Sequence, residues 1–91
     1  MKFTSEMSAE KKAALVPEVR ELFEHTKEID GVHGVELLTN CVDRANRYDW
    51  MIVLDMDKEA LPKYDACGWH HRWKDEYGHL IDKKAIFDYE V

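Results

Sequence analysis

Apolar residues along this chain fall into patterned blocks separated by short polar breaks. Leu15, Val19, Leu22, Phe23, Thr26 and Ile29 recur every three or four residues, a single apolar stripe that predicts a helix. Ser8 is placed to cap its first turn, and Glu10 suits the positive end of the helix dipole. Pro17 lies inside the pattern. It lacks an N–H and crowds the carbonyl four residues back, so a kink or an irregular first segment is expected there. Asp30-Gly31 closes the helix, with Gly31 free to adopt the left-handed conformation.

The period then changes to two. In VHGVELLTN, Val35, Leu37 and Thr39 alternate with Glu36, Leu38 and Asn40. In RYDWMIVLDM, Tyr48, Trp50, Ile52, Leu54 and Met56 alternate with Asp49, Met51, Val53 and Asp55, the strongest strand pattern of the chain. The polar CVDRAN segment between them reads as a turn, so the pair is expected to form an antiparallel hairpin. The second strand is apolar on both faces at its middle, which predicts cover on both sides. Residues 1–4 amount to a stub of strand.

A second helix is expected from Asp57, as its cap, to about Ala66, with Pro62 in the early turns where a missing N–H costs least. Cys67-Gly68 breaks it, and a further short helix is expected over His70–Leu80. Lys84–Val91 reads as a last strand with Ala85, Phe87, Tyr89 and Val91 on one face. The order β-α-β-β-α-β predicts an α+β, ferredoxin-like fold with a four-stranded antiparallel sheet and helices on one side.

Composition narrows the function classes. Ninety-one residues make one domain, residues 1–91, and a chain this short gains much from pairing with a second copy. A net charge of −6 with no basic run argues against nucleic acid. The longest uninterrupted apolar run, Trp50–Leu54, is too short to cross a bilayer, and the N-terminus lacks a signal-peptide core. Two cysteines without CxxC spacing fit a reducing, cytoplasmic compartment.

Candidate chemistry gathers at Tyr64 and His70. On a continuous helix six residues rotate by about 240°, so these side chains meet only if the helix breaks between them, as Gly68 permits. A neutral imidazole could then remove a proton beside a carbonyl while the phenol steadies the enolate. The competing reading packs the tyrosine at a helix edge and bonds the histidine to a backbone carbonyl. Cys67, His70, His71 and His79 are potential metal ligands, but they lack a second ligand pair at zinc spacing. His71 with Asp75 forms only an i,i+4 pair, and no metal or cofactor is implied. Trp50, Trp69, Trp73, Tyr77 and Phe87 could line an apolar ligand pocket or fill the core and a dimer seam. His25 and His33 stand alone in the sequence.

The segments GVHGVELLTN, RYDWMIVLDM, KEALPKYDACGWHHRW and AIFDYEV, in that order, resemble the stress-responsive α/β-barrel family, the dimeric α+β barrels. The resemblance spans nearly the whole chain. It implies a homodimer in which two sheets enclose a barrel, no cofactor, and a small hydrophobic or aromatic ligand. Relative to the family pattern strand one is truncated at the N-terminus, and Cys67-Gly68 stands where His-Pro is common. Aligned without gaps from Tyr64 to Tyr89 on a polyketide cyclase of the family, Tyr64 and His70 fall on its pocket tyrosine and catalytic histidine. The functions it leaves open are ligand binding, a cofactor-independent cyclase or lyase with His70 as base, a structural dimer, and a small monooxygenase.

Overall fold

Ser8 caps the first helix as its spacing suggests, its hydroxyl oxygen accepting from the Lys11 N–H at 3.2 Å. In the computed structural model, which describes residues 1–91, this helix (α1) runs Ala9–Glu24 and continues through Pro17 without leaving the α conformation. A 3₁₀ turn over His25–Glu28 extends it, and Gly31, at φ 96°, reverses the chain. A Cβ at Gly31 would also lie 2.8 Å from that of Ala60, so only glycine fits there. The apolar stripe is the buried face: Val19, Leu22, Phe23 and Thr26 are buried, and Leu15 and Ile29 pack at its margins.

The remaining elements are β1 (Lys2–Phe3), β2 (Val32–Thr39), β3 (Trp50–Met56), α2 (Leu61–Ala66), α3 (Gly68–Tyr77) and β4 (Ile81–Lys83). They form an α+β fold with three helices and two antiparallel two-stranded sheets, β1–β4 and β2–β3. In the β2–β3 hairpin, Leu37 pairs with Ile52 and Val35 with Leu54. The register then shifts by one residue between Val32 and Gly34. His33 is the extra residue of this bulge. It returns Val32 to the covered face, in phase with Val35 although three positions separate them.

The two sheets meet at Met1 and Trp50. The Met1 amine donates to the Trp50 carbonyl at 2.7 Å, and the Met1 carbonyl accepts from the Asp49 and Trp50 N–H groups at 2.8 and 3.2 Å. Asp49 closes the junction from the side: one carboxylate oxygen accepts from the Phe3 N–H at 2.8 Å, the other from the Lys12 ammonium at 3.1 Å. Beneath them the Phe3 ring meets Trp50 edge-on at 4.7 Å, and both residues are buried.

Four expectations need correction. Lys84–Val91 is not a strand; the last strand is Ile81–Lys83, and Ile86 and Phe87 are 78% and 85% exposed. The register Lys2↔Lys83 carries residues from 84 onward past the last residue of β1 that offers a ladder partner. Strand β3 is covered on one face only: Trp50, Ile52 and Leu54 pack with the core residues of the helices, while Met51 and Val53 are 62% and 39% exposed. Asp57 does not cap a continuous helix: a 3₁₀ turn over Lys58–Ala60 precedes α2, and the Asp57 carboxylate turns to His33 instead. The helix expected over His70–Leu80 starts two residues earlier and ends at Tyr77, followed by a 3₁₀ turn over Gly78–Leu80.

Burial raises the Asp49 carboxyl, but the Phe3 N–H bond and the Lys12 ammonium outweigh it and hold the group below its ordinary value. A carboxyl depressed in the folded state contributes stability above its unfolded pKa, and that contribution is lost as pH falls through the folded value. Asp49→Ala is therefore expected to cost about 1–3 kcal/mol at neutral pH, since it strands a partly buried N–H and an ammonium. Urea denaturation at pH 7 and again at pH 3 tests this, because the gap between variant and wild type should shrink at the acid end.

Candidate functional site

Tyr64 and His70 come together because the helix breaks at Cys67. That residue is extended (φ −72°, ψ 154°) and serves at once as the last cap of α2 and the first cap of α3. Its Sγ accepts from the His70 N–H at 3.3 Å, the role usually taken by a hydroxyl or carboxylate. Gly68, expected to be the hinge, is the first residue of α3 with no left-handed φ, and a Cβ there would meet nothing. The turn brings the Tyr64 and His70 rings to 4.8 Å between centroids, tilted by 38°.

His70 Nδ1 lies 3.1 Å from the Asp65 carbonyl. A carbonyl only accepts, so Nδ1 carries a proton, and in the neutral ring the lone pair lies on Nε2. A bond to a backbone carbonyl is what the competing, packing reading expects of this histidine. Burial pushes the Tyr64 phenol up to about 12, with the charges of Cys67 and Asp65 adding to the shift. The phenol therefore stays protonated at neutral pH. Its hydroxyl has no hydrogen-bond partner in the protein, yet no buried side-chain oxygen is left unpaired, so it reaches solvent. His71, one position on, is exposed and makes no hydrogen bond to Asp75.

Further aromatic rings lie along the α1–α3 seam. Trp69 stacks on His25 at 4.3 Å, and Trp73 lies between Phe23 at 5.2 Å and Tyr77 at 5.4 Å. Tyr77 donates to Glu18 at 2.6 Å across the α1–α3 seam, and that bond, with burial, pushes its phenol up to about 12. Phe87, grouped with these aromatics in the sequence, stands apart in the exposed tail, near Tyr89 alone.

No three His, Cys, Asp or Glu side chains converge as metal ligands, so Cys67, His70, His71 and His79 do not form such a group. His33, without a local partner in the sequence, has one 24 residues away: its Nε2 lies 2.9 Å from Asp57 Oδ1. The hydrogen bond to Asp57, and then its charge, raise the His33 pKa. This fully exposed link favours the fold below the unfolded histidine pKa, and its contribution fades as pH rises through the folded value. No sequence signal marks it, because only the bulge turns His33 toward Asp57.

Comparison with family models, with curated proteins and with solved structures returns no match for the chain.

The His70 tautomer is directly measurable. Long-range ¹H–¹⁵N correlation spectra above the imidazole titration should show His70 with a protonated Nδ1 and a bare Nε2. A dominant Nε2–H form would remove the base from the site.

Proposed function

We propose that the chain is one subunit of a cytoplasmic, homodimeric α+β barrel of the stress-responsive kind, which binds a small hydrophobic or aromatic molecule. The observation that carries this reading is the bare face of the β2–β3 hairpin. Leu38 and Met51 sit directly opposite each other there, with Val53 beside them, all exposed and with no helix above. Only 11 of 91 residues are buried, a small core that a second copy would enlarge. A stable interface takes about 800 Å² per partner, a modest share of the 6684 Å² accessible surface. Two such faces stacked at about 10 Å would enclose the apolar interior of a barrel.

The hydrogen bonds between Met1 and Trp50 support a single ferredoxin-like sheet in the order β4–β1–β3–β2, with β1 as the narrow join between the pairs. The apolar tail, Ile86 to Val91, then has a role as an arm reaching over the partner. Two free cysteines fit a reducing compartment. Trp69, Trp73 and the Tyr64–His70 pair supply aromatic surface with two polar handles for the ligand.

Sedimentation equilibrium at micromolar concentration should return a dimer, and Met51→Glu with Val53→Glu should return a folded monomer by circular dichroism. Both positions are exposed in the subunit, so the charges oppose association alone. Deleting residues 87–91 should weaken the dimer as well. A monomeric wild type would refute the assembly.

The Tyr64–His70 geometry favours a second reading, a cofactor-independent cyclase or lyase. His70 Nε2 would take a proton from carbon beside a carbonyl, the C–H electron pair would move onto the oxygen, and the Tyr64 phenol would donate to it. On a polyketide-like, enolisable substrate His70→Ala is expected to lower turnover by ~100-fold or more, and His71→Ala to leave it nearly unchanged. Equal effects of the two substitutions would dismiss this chemistry while leaving the ligand-binding reading in place.

A further inference from the structure

A long groove runs between the N-terminal half of α1, β1 and the 40–49 loop, with a volume of about 980 Å³. That lies at the upper end of the about 300–1,000 Å³ typical of small-molecule sites. It shares no residue with the Tyr64–His70 pair or with the bare hairpin face, and nothing argued for those bears on it.

Its charge runs against the rest of the molecule. The chain carries 19 acidic and 13 basic residues, yet Lys2, Lys12, Arg20, Arg44 and Arg47 line the groove against only Asp43 and Asp49. Asp49 is already held by Lys12 and the Phe3 N–H. None of the other four cations has a carboxylate within salt-bridge distance. Lys2 instead donates to the Ala45 carbonyl at 2.8 Å and the Arg47 carbonyl at 3.3 Å, tying the loop over β1 to form one wall. Arg20 only grazes the Leu37 carbonyl at 3.5 Å, and Arg47 bonds the neighbouring Asn46 amide. Arg44 makes no side-chain bond at all.

Between these cations Met7, Ala13, Val16 and Val42 supply an apolar floor, with Thr4, Ser5, Thr39 and Asn40 as neutral polar groups beside it. Unpaired guanidinium groups match an oxyanion, and an apolar floor matches a hydrocarbon or aromatic body. We infer that this groove binds a small organic anion, a carboxylate or phosphate monoester carried on an apolar body. Charge complementarity identifies the occupant: a neutral apolar molecule would leave the arginines unanswered, and a bare inorganic anion would leave the apolar floor unused.

The test titrates the whole chain with octanoate, octyl phosphate, octan-1-ol and inorganic phosphate, read by amide chemical shifts and calorimetry. The two amphiphilic anions should shift resonances of residues 39–50 and the first half of α1 with one-to-one stoichiometry. Octan-1-ol and inorganic phosphate should bind at least about tenfold more weakly, as expected when a charge-assisted contact or the apolar contact is missing. Arg44→Gln combined with Arg47→Gln should weaken the anions by about tenfold while leaving the melting temperature unchanged, since both side chains are exposed. The tighter of the two anions identifies the head group. Octan-1-ol binding as well as octanoate, shifts confined to another face, unaltered affinity in the double variant, or no binding by either anion would each overturn the inference.

Discussion

The junction of Met1 and Phe3 with Asp49 and Trp50 is the contact on which the rest of this structure depends. Strand β1 is two residues long and cannot hold a sheet by its own ladder. It is held because three backbone bonds join Met1 to Asp49 and Trp50, and because Asp49 takes the Phe3 N–H and the Lys12 ammonium at once. That carboxylate ties β1, α1 and the start of β3 together. The edge-on Phe3–Trp50 contact beneath it is shielded from water, so hydrogen bonds and apolar burial reinforce each other at one place. Distant consequences follow. The position of β1 sets that of β4 through the β1–β4 ladder, and the tie of Lys2 to the 45–47 backbone shapes the basic groove.

The buried residues of all three helices gather in one cluster with Leu37 and Trp50, and this asymmetry accounts for the apolar residues that remain exposed. Trp50, Ile52 and Leu54 meet the helices; Met51 and Val53 alternate with them and therefore meet water. A strand with two apolar faces implies two covers, and one subunit supplies only one. The tail beyond Lys83 repeats the situation, since its apolar residues have neither a ladder partner nor a layer above them.

At the candidate site a single cysteine does the work of a loop. Because Cys67 ends one helix and caps the next, α2 and α3 meet at a corner rather than through a linker. The corner turns Tyr64 and His70 toward each other, and the Asp65 carbonyl left free at the end of α2 fixes the imidazole tautomer. The closeness of the phenol and imidazole rings thus arises from helix-end hydrogen bonding.

What the amino-acid sequence determined was local and periodic. The apolar stripe of α1, its Ser8 cap, the hairpin of β2 and β3, the left-handed Gly31 and a break between Tyr64 and His70 were all legible, because each rests on spacing within a few residues. Three outcomes belonged to the tertiary structure alone. Whether 84–91 forms a strand depends on a partner in β1, more than 80 residues away, and the alternating pattern of the tail carries no record of how short that partner is. The His33–Asp57 and Tyr77–Glu18 pairs span 24 and 59 residues, and no local period relates their members. The basic groove gathers cations from positions 2, 12, 20, 44 and 47, which in an acidic chain read as scattered surface charge. Periodicity specifies which face of an element is buried; only the packing of elements specifies which charges share a groove, because electrostatic neighbours are set by distance in space and not by separation along the chain.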